Sequence, residues 1–67
     1  MKRKPEVLLE QWRFAGRNNT KLRGYMYHHR VIPDGYLCRT SKIVFIDLKA
    51  GICETQNSLY TLGKRLQ

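Results

Sequence analysis

Four residues at every second position carry the most distinctive chemistry in this chain: Arg23, Tyr25, Tyr27 and His29. In a β-strand, side chains at i and i+2 share a face. These four therefore project together while Leu22 and Met26 turn the other way, in a row about 20 Å long at ~3.3 Å per residue. Phenol rings offer flat surfaces on which bases stack, and guanidinium and imidazolium groups meet phosphates, which is how sheet-based binders hold single strands. Arg13, Arg17 and Lys21 precede the row and Arg39 follows on the next strand, so all eight residues make a candidate nucleic-acid-binding surface. Histidine adds charge in mildly acidic solution. The competing reading is packing: tyrosine fits any strand, and Tyr25 and Tyr27 could lie beneath Trp12.

Other reactive residues point nowhere so definite. Asp47 and Glu54 are candidate hairpin neighbours, and paired carboxylates can do acid–base work or hold a metal; acids beside turns more often serve solubility. Asp34 sits in a turn. Ser41 and Ser58 lack a G-x-S-x-G setting and stand where a turn wants a small polar side chain. His28 and His29 are adjacent, so a regular strand sends them to opposite faces and they cannot chelate together. Cys38 and Cys53 are the only cysteines. They form no C-x-x-C pair, which argues against zinc, and Cys38 reads as a small core hydrophobe. The expectation is no enzyme, no cofactor and no metal.

Charge is the strongest global fact. Thirteen Lys and Arg face five Asp and Glu, a net charge of +8 in 67 residues. Such a field attracts polyanions and speeds encounter with them. Nucleic acid, DNA or RNA, is the expected partner. An acidic protein surface is the alternative, through a protein-binding or inhibitor module, with homodimer formation as one route. No membrane role is expected: the longest apolar run, residues 43–46, is too short to span a bilayer, and no lipidation signature accompanies Lys2, Arg3 and Lys4. The start of the chain has no signal-peptide pattern, since only Val7, Leu8 and Leu9 precede Glu10. A cytoplasmic setting with free thiols follows.

One domain must position these groups, because a chain this short buries only about 60% of its unfolded surface. Residues 1–4 read as a basic tail. Pro5 suits a first helical position, and Val7, Leu8, Trp12 and Ala15 fall on a helical stripe, so residues 5–15 read as either a short helix from Pro5 to about Trp12 or a strand from Gln11 to Ala15 with Trp12 and Phe14 on one face. Residues 22–63 read as a β-meander. A strand from Leu22 leads to the Pro33-Asp34-Gly35 turn, then to strands at 36–39, 43–48, 52–55 and 59–62, before a basic tail at 64–67. The strand at 43–48 is apolar on both faces and is expected to be central, covered by Leu8 and Trp12. The expected fold is mainly β: a small antiparallel five-stranded meander or partly open barrel with a short N-terminal helix.

Several segments of this meander form a recognisable set: Gly24-Tyr25-Met26-Tyr27-His28, Pro33-Asp34-Gly35, Thr40-Ser41-Lys42-Ile43-Val44, and residues 54–63 with their T-x-N-S-x-Y-x-L-G pattern. Together, over residues 23–63, the chain resembles small proteins encoded by bacteriophages and prophages. That resemblance implies a phage or prophage accessory context and carries no functional residue across.

Overall fold

A computed structural model describes residues 4–66; most of the expected N-terminal basic tail, Met1 to Arg3, and Gln67 lie outside the described residues. The segment expected to be helical is a strand. β1 (Glu6–Ala15) buries Val7 and Leu9 on one face, as alternation demands, and then buries Trp12 on that same face with Phe14 packed beside it. The step from Leu9 to Trp12 is odd, so a regular strand would turn the indole outward. A β-bulge between Glu10 and Arg13 corrects the phase. Gln11 takes up the slack with a left-handed φ of 48°. The same break in alternation gives the apolar residues their helix-like spacing in the sequence.

β2 (Lys21–Tyr27) follows a 3-10 turn at Arg17–Asn19, and β3 (Tyr36–Arg39), β4 (Ile43–Asp47), β5 (Ile52–Thr55) and β6 (Leu59–Leu62) complete a single six-stranded sheet. Five of these strands match the expected meander; the sixth is β1. The order is β3-β2-β1-β6-β5-β4, two antiparallel three-stranded halves. They join through β1 and β6, which run parallel, so the sheet is mixed rather than wholly antiparallel. Beyond the bulge the parallel run resumes where Arg65 bridges Trp12. Lys64 and Arg65, expected in a tail, are thus held by Trp12 N–H donating to the Lys64 carbonyl (3.2 Å) and by Leu66 N–H donating to the Trp12 carbonyl (2.8 Å). Among the described residues no helix is long and apolar enough to cross a membrane.

The two edge strands, β3 and β4, are joined by residues 40–42 alone. That link reaches at most about 14 Å, whereas the edges of a flat six-stranded sheet lie about 24 Å apart. The open sheet must therefore curl. Ile43 N–H donates to the Thr20 carbonyl (2.8 Å) and Gln56 N–H to the Lys42 carbonyl (3.0 Å), tying the link down on both sides. Hydroxyls complete the seam. Thr40 Oγ1 accepts from Leu22 N–H (3.0 Å), Ser41 Oγ donates to Thr55 Oγ1 (2.8 Å), and Asn57 N–H donates to Ser41 Oγ (3.2 Å). Thr40, Thr55 and Ser58 are buried, so an unbonded hydroxyl here would cost about 1–3 kcal/mol.

Val7, Leu9, Trp12, Leu22, Met26, Cys53 and Tyr60 form the core inside the curl. β4 is not the covered central strand that its composition implies. A register shift between Ile43 and Phe45 turns Ile43 and Ile46 toward the core, while Val44 and Phe45 stay 61% and 55% exposed. An apolar run marks a strand but cannot say whether a neighbour arrives. Gly24 faces inward from β2, where a Cβ would stand 2.9 Å from the Glu10 carbonyl oxygen and 3.0 Å from Leu9 Cγ. Because the closest of these atoms is backbone, Gly24→Ala should cost about 1–3 kcal/mol by overpacking. The check is urea denaturation, and an unchanged midpoint would mean that β1 and β2 are less closely apposed than this geometry requires.

Candidate nucleic-acid interface

The outward faces of β1, β2 and β3 form one surface, and the strand registers arrange it in rows. Arg13 lies opposite Arg23, and Arg23 opposite Arg39, so three arginines from three strands stand side by side. Glu10, Tyr25 and Leu37 make the next row, with Leu8 opposite Tyr27 beyond it and Ala15 opposite Lys21 at the basic end. Directly opposed side chains leave the backbone about 5 Å apart, and like charges so placed repel. Among the described residues no ion pair reaches any of the three guanidinium groups; Lys4 to Glu54, at 2.6 Å, lies on the other half of the sheet. Glu10, the carboxylate nearest in register, is already engaged: its Oε1 accepts from Lys64 N–H at 2.9 Å.

Beside the arginine row is an open concavity of about 300 Å³ lined by Gln11, Arg13, Arg23, Tyr25, Leu37 and Leu66. Tyr25 and Arg23 are half-buried in it, whereas Arg13, Arg39 and Lys21 are exposed. Cationic groups thus border a partly apolar hollow containing one aromatic ring, an arrangement able to take an anion together with an attached flat group.

Of the residues expected from the sequence, Arg13, Lys21, Arg23, Tyr25, Tyr27 and Arg39 share this face. Arg17 is exposed in the 3-10 turn between β1 and β2. The two tyrosines do not lie beneath Trp12, which is on the opposite face of the sheet. His29 leaves the row altogether. β2 stops at Tyr27, His28 turns left-handed at φ 65°, and His29 Nδ1 accepts from the N–H groups of Val31 and Ile32, both at 3.0 Å. Its ring is a brace for the β2–β3 connection. Three lining residues escaped the sequence reading: Gln11, Leu37 and Leu66. The break in alternation from Leu9 to Trp12 flags a bulge at Gln11, and Leu37 follows from its spacing to Arg39. Leu66 has no local signal, since only the parallel run beside β1 brings it here.

The other reactive groups are occupied or buried. Glu54 lies opposite Phe45 and Asp47 opposite Ile52, so the two carboxylates do not face each other. Glu54 binds Lys4, and Asp47 Oδ1 accepts from Ala50 N–H (3.1 Å) within its own turn. Both thiols are free. A second surface feature lies at the far edge, where Val44, Phe45, Leu48 and Ile52 are all exposed. No family model matches this chain, and neither a curated protein nor a solved structure matches it.

Burial pushes the Cys53 thiol from 9.0 up to about 11. Its thiolate is therefore scarce at pH 8, and the half-buried Cys38 should be the first to react with iodoacetamide in the native protein, with Cys53 following only as the chain unfolds. The linkage has a definite sign. Above pH 9 the unfolded chain loses its Cys53 proton first, so this contribution to stability is full below about pH 9 and fades as pH rises toward 11. Mass spectrometry of timed alkylation checks the order, and equal rates at both cysteines would contradict it.

Proposed function

We propose that this protein is a small, basic, non-enzymatic nucleic-acid-binding domain that works through the outward face of β1, β2 and β3. The observation that carries this reading is the row Arg13–Arg23–Arg39, three cations in cross-strand register with no carboxylate among the described residues paired to them and an aromatic residue in the adjacent row. Repulsion within the row is relieved by a polyanion and only weakly by single counterions. Arg17 and Lys21 lengthen the track, and Tyr25 and Tyr27 add stacking surface. In the phage or prophage context implied by the resemblance, such a domain is an accessory factor acting in the cytoplasm.

The test is fluorescence anisotropy with labelled single-stranded DNA, duplex DNA and RNA. If the row engages about three phosphates, the affinity falls roughly 20- to 40-fold between about 50 and 200 mM salt. Each of Arg13→Gln, Arg23→Gln and Arg39→Gln should weaken binding and flatten that slope by about one phosphate. Absence of binding to every probe at the lower salt would sink this reading.

A second reading is favoured by the β4 edge. Its place at the end of the sheet and the apolar side chains of Val44 and Phe45 suit strand addition, and a second copy is the occupant considered. Asp47 and Glu54 offset Lys49 and Lys4 here, leaving this edge less positive than the arginine row, so two copies of a +8 chain can meet with less repulsion than at that row. Sedimentation should then show a concentration-dependent dimer that Phe45→Lys abolishes while the monomer stays folded. A wild-type protein that remains monomeric at its highest soluble concentration would contradict self-pairing.

A further inference from the structure

Among the described residues, four other than glycine adopt positive φ: Gln11, Asn18, Asn19 and His28. Asparagine and histidine are enriched there, and those three lie in turns or in the β2–β3 connection. Gln11 has neither excuse. It sits inside β1, at the bulge, with φ 48°, a conformation that glycine adopts with less strain. The backbone alone therefore does not ask for glutamine. Its side chain is exposed and lines the concavity with Tyr25, Leu37 and Leu66, beside Arg13 and Arg23. Among the described residues its amide makes no hydrogen bond. Bulges often re-aim a side chain toward a site, and local strain concentrates at such places.

We infer that Gln11 reads the edge of an unpaired nucleobase lodged in this concavity, making the domain a single-strand binder with base preference. This rests on the nucleic-acid reading above and deepens it. The base lies against Tyr25, Leu37 and Leu66, and the flanking phosphates meet Arg13 and Arg23. The Gln11 carboxamide, a donor and an acceptor side by side, faces the base edge; adenine offers the complementary pair of groups, so base identity matters. A base inside a duplex is stacked on both faces and cannot present one to Tyr25, which excludes double strands from this hollow.

The experiment compares wild type, Gln11→Gly and Gln11→Asn by anisotropy on oligo-dA, oligo-dT and a duplex of equal length, with thermal melts of each protein alone. Wild type should bind single strands about tenfold or more tighter than duplex, the scale of one stacked base. Gln11→Gly should melt at the same or a higher temperature, because glycine relieves the strain. It should nevertheless bind its better single strand roughly fivefold or more weakly, with the dA–dT difference reduced. Gln11→Asn keeps a residue tolerant of left-handed backbone but shortens the amide, and should show the same loss if the glycine variant does not fold. Equal affinity for single and double strands, or unchanged binding in the folded variants, would overturn the role of Gln11 and leave a generic polyanion surface standing. Wild-type failure on all three probes at low salt would overturn both this inference and the reading beneath it.

Discussion

Everything in this structure depends on one extra residue in β1. The bulge at Gln11 sets the phase of the strand's second half. With it, Trp12 enters the core and Arg13 faces outward to meet Arg23. Without it the two would exchange faces, burying a guanidinium and exposing an indole. Magnitudes show why the irregular backbone persists. A left-handed non-glycine residue costs on the order of 1–3 kcal/mol. Burying an indole removes roughly 150–250 Å² from water, worth about 4–6 kcal/mol at ~25 cal/mol per Å². Trp12 also donates from Nε1 to the Gly63 carbonyl at 3.0 Å. Its ring is capped by Arg65, whose guanidinium lies 5.2 Å from the ring centre. One strand irregularity thus anchors the C-terminal segment, builds the core and exposes the cation that completes the arginine row.

The curl separates the two surfaces. Since residues 40–42 must connect opposite edges of the sheet, the seam of Thr40, Ser41 and Thr55 hydroxyls ties the link between β3 and β4 to β2 and β5. The basic face then spans β1, β2 and β3, and the apolar edge belongs to β4 and the turn after it. The fold tolerates the arginine row because its repulsion is modest in water: two unit charges about 5 Å apart interact by roughly 0.8 kcal/mol at the dielectric of water, and salt lowers this further. That cost is small enough to coexist with a folded core, yet it disappears when an anion sits across the row.

The polar residues of the β3–β4 link and of the turn between β5 and β6 serve this seam rather than the candidate site. Thr40, Ser41, Thr55 and Ser58 all bond within it. Gly63 gives room to the Glu10 carboxylate, which a Cβ there would overlap.

By itself the sequence determined the net charge, the mainly β class, five of the six strands and the sharing of one strand face by Arg23, Tyr25 and Tyr27. These follow from local rules: alternation is a property of the pleated backbone, and Pro, Gly and Asp mark turns through their own φ preferences. Tertiary structure decided the rest. It made β1 a strand, because Trp12 needed a partner fifty-one residues away in sequence. It set Arg13 and Arg39 beside Arg23, because register is fixed between strands and not within them. It drew His29 into a loop brace and left β4 at an edge, since an apolar run is silent about which neighbour will arrive. Local sterics are written residue by residue, whereas the phase of a bulge and the pairing of strands come from the packing of the whole chain.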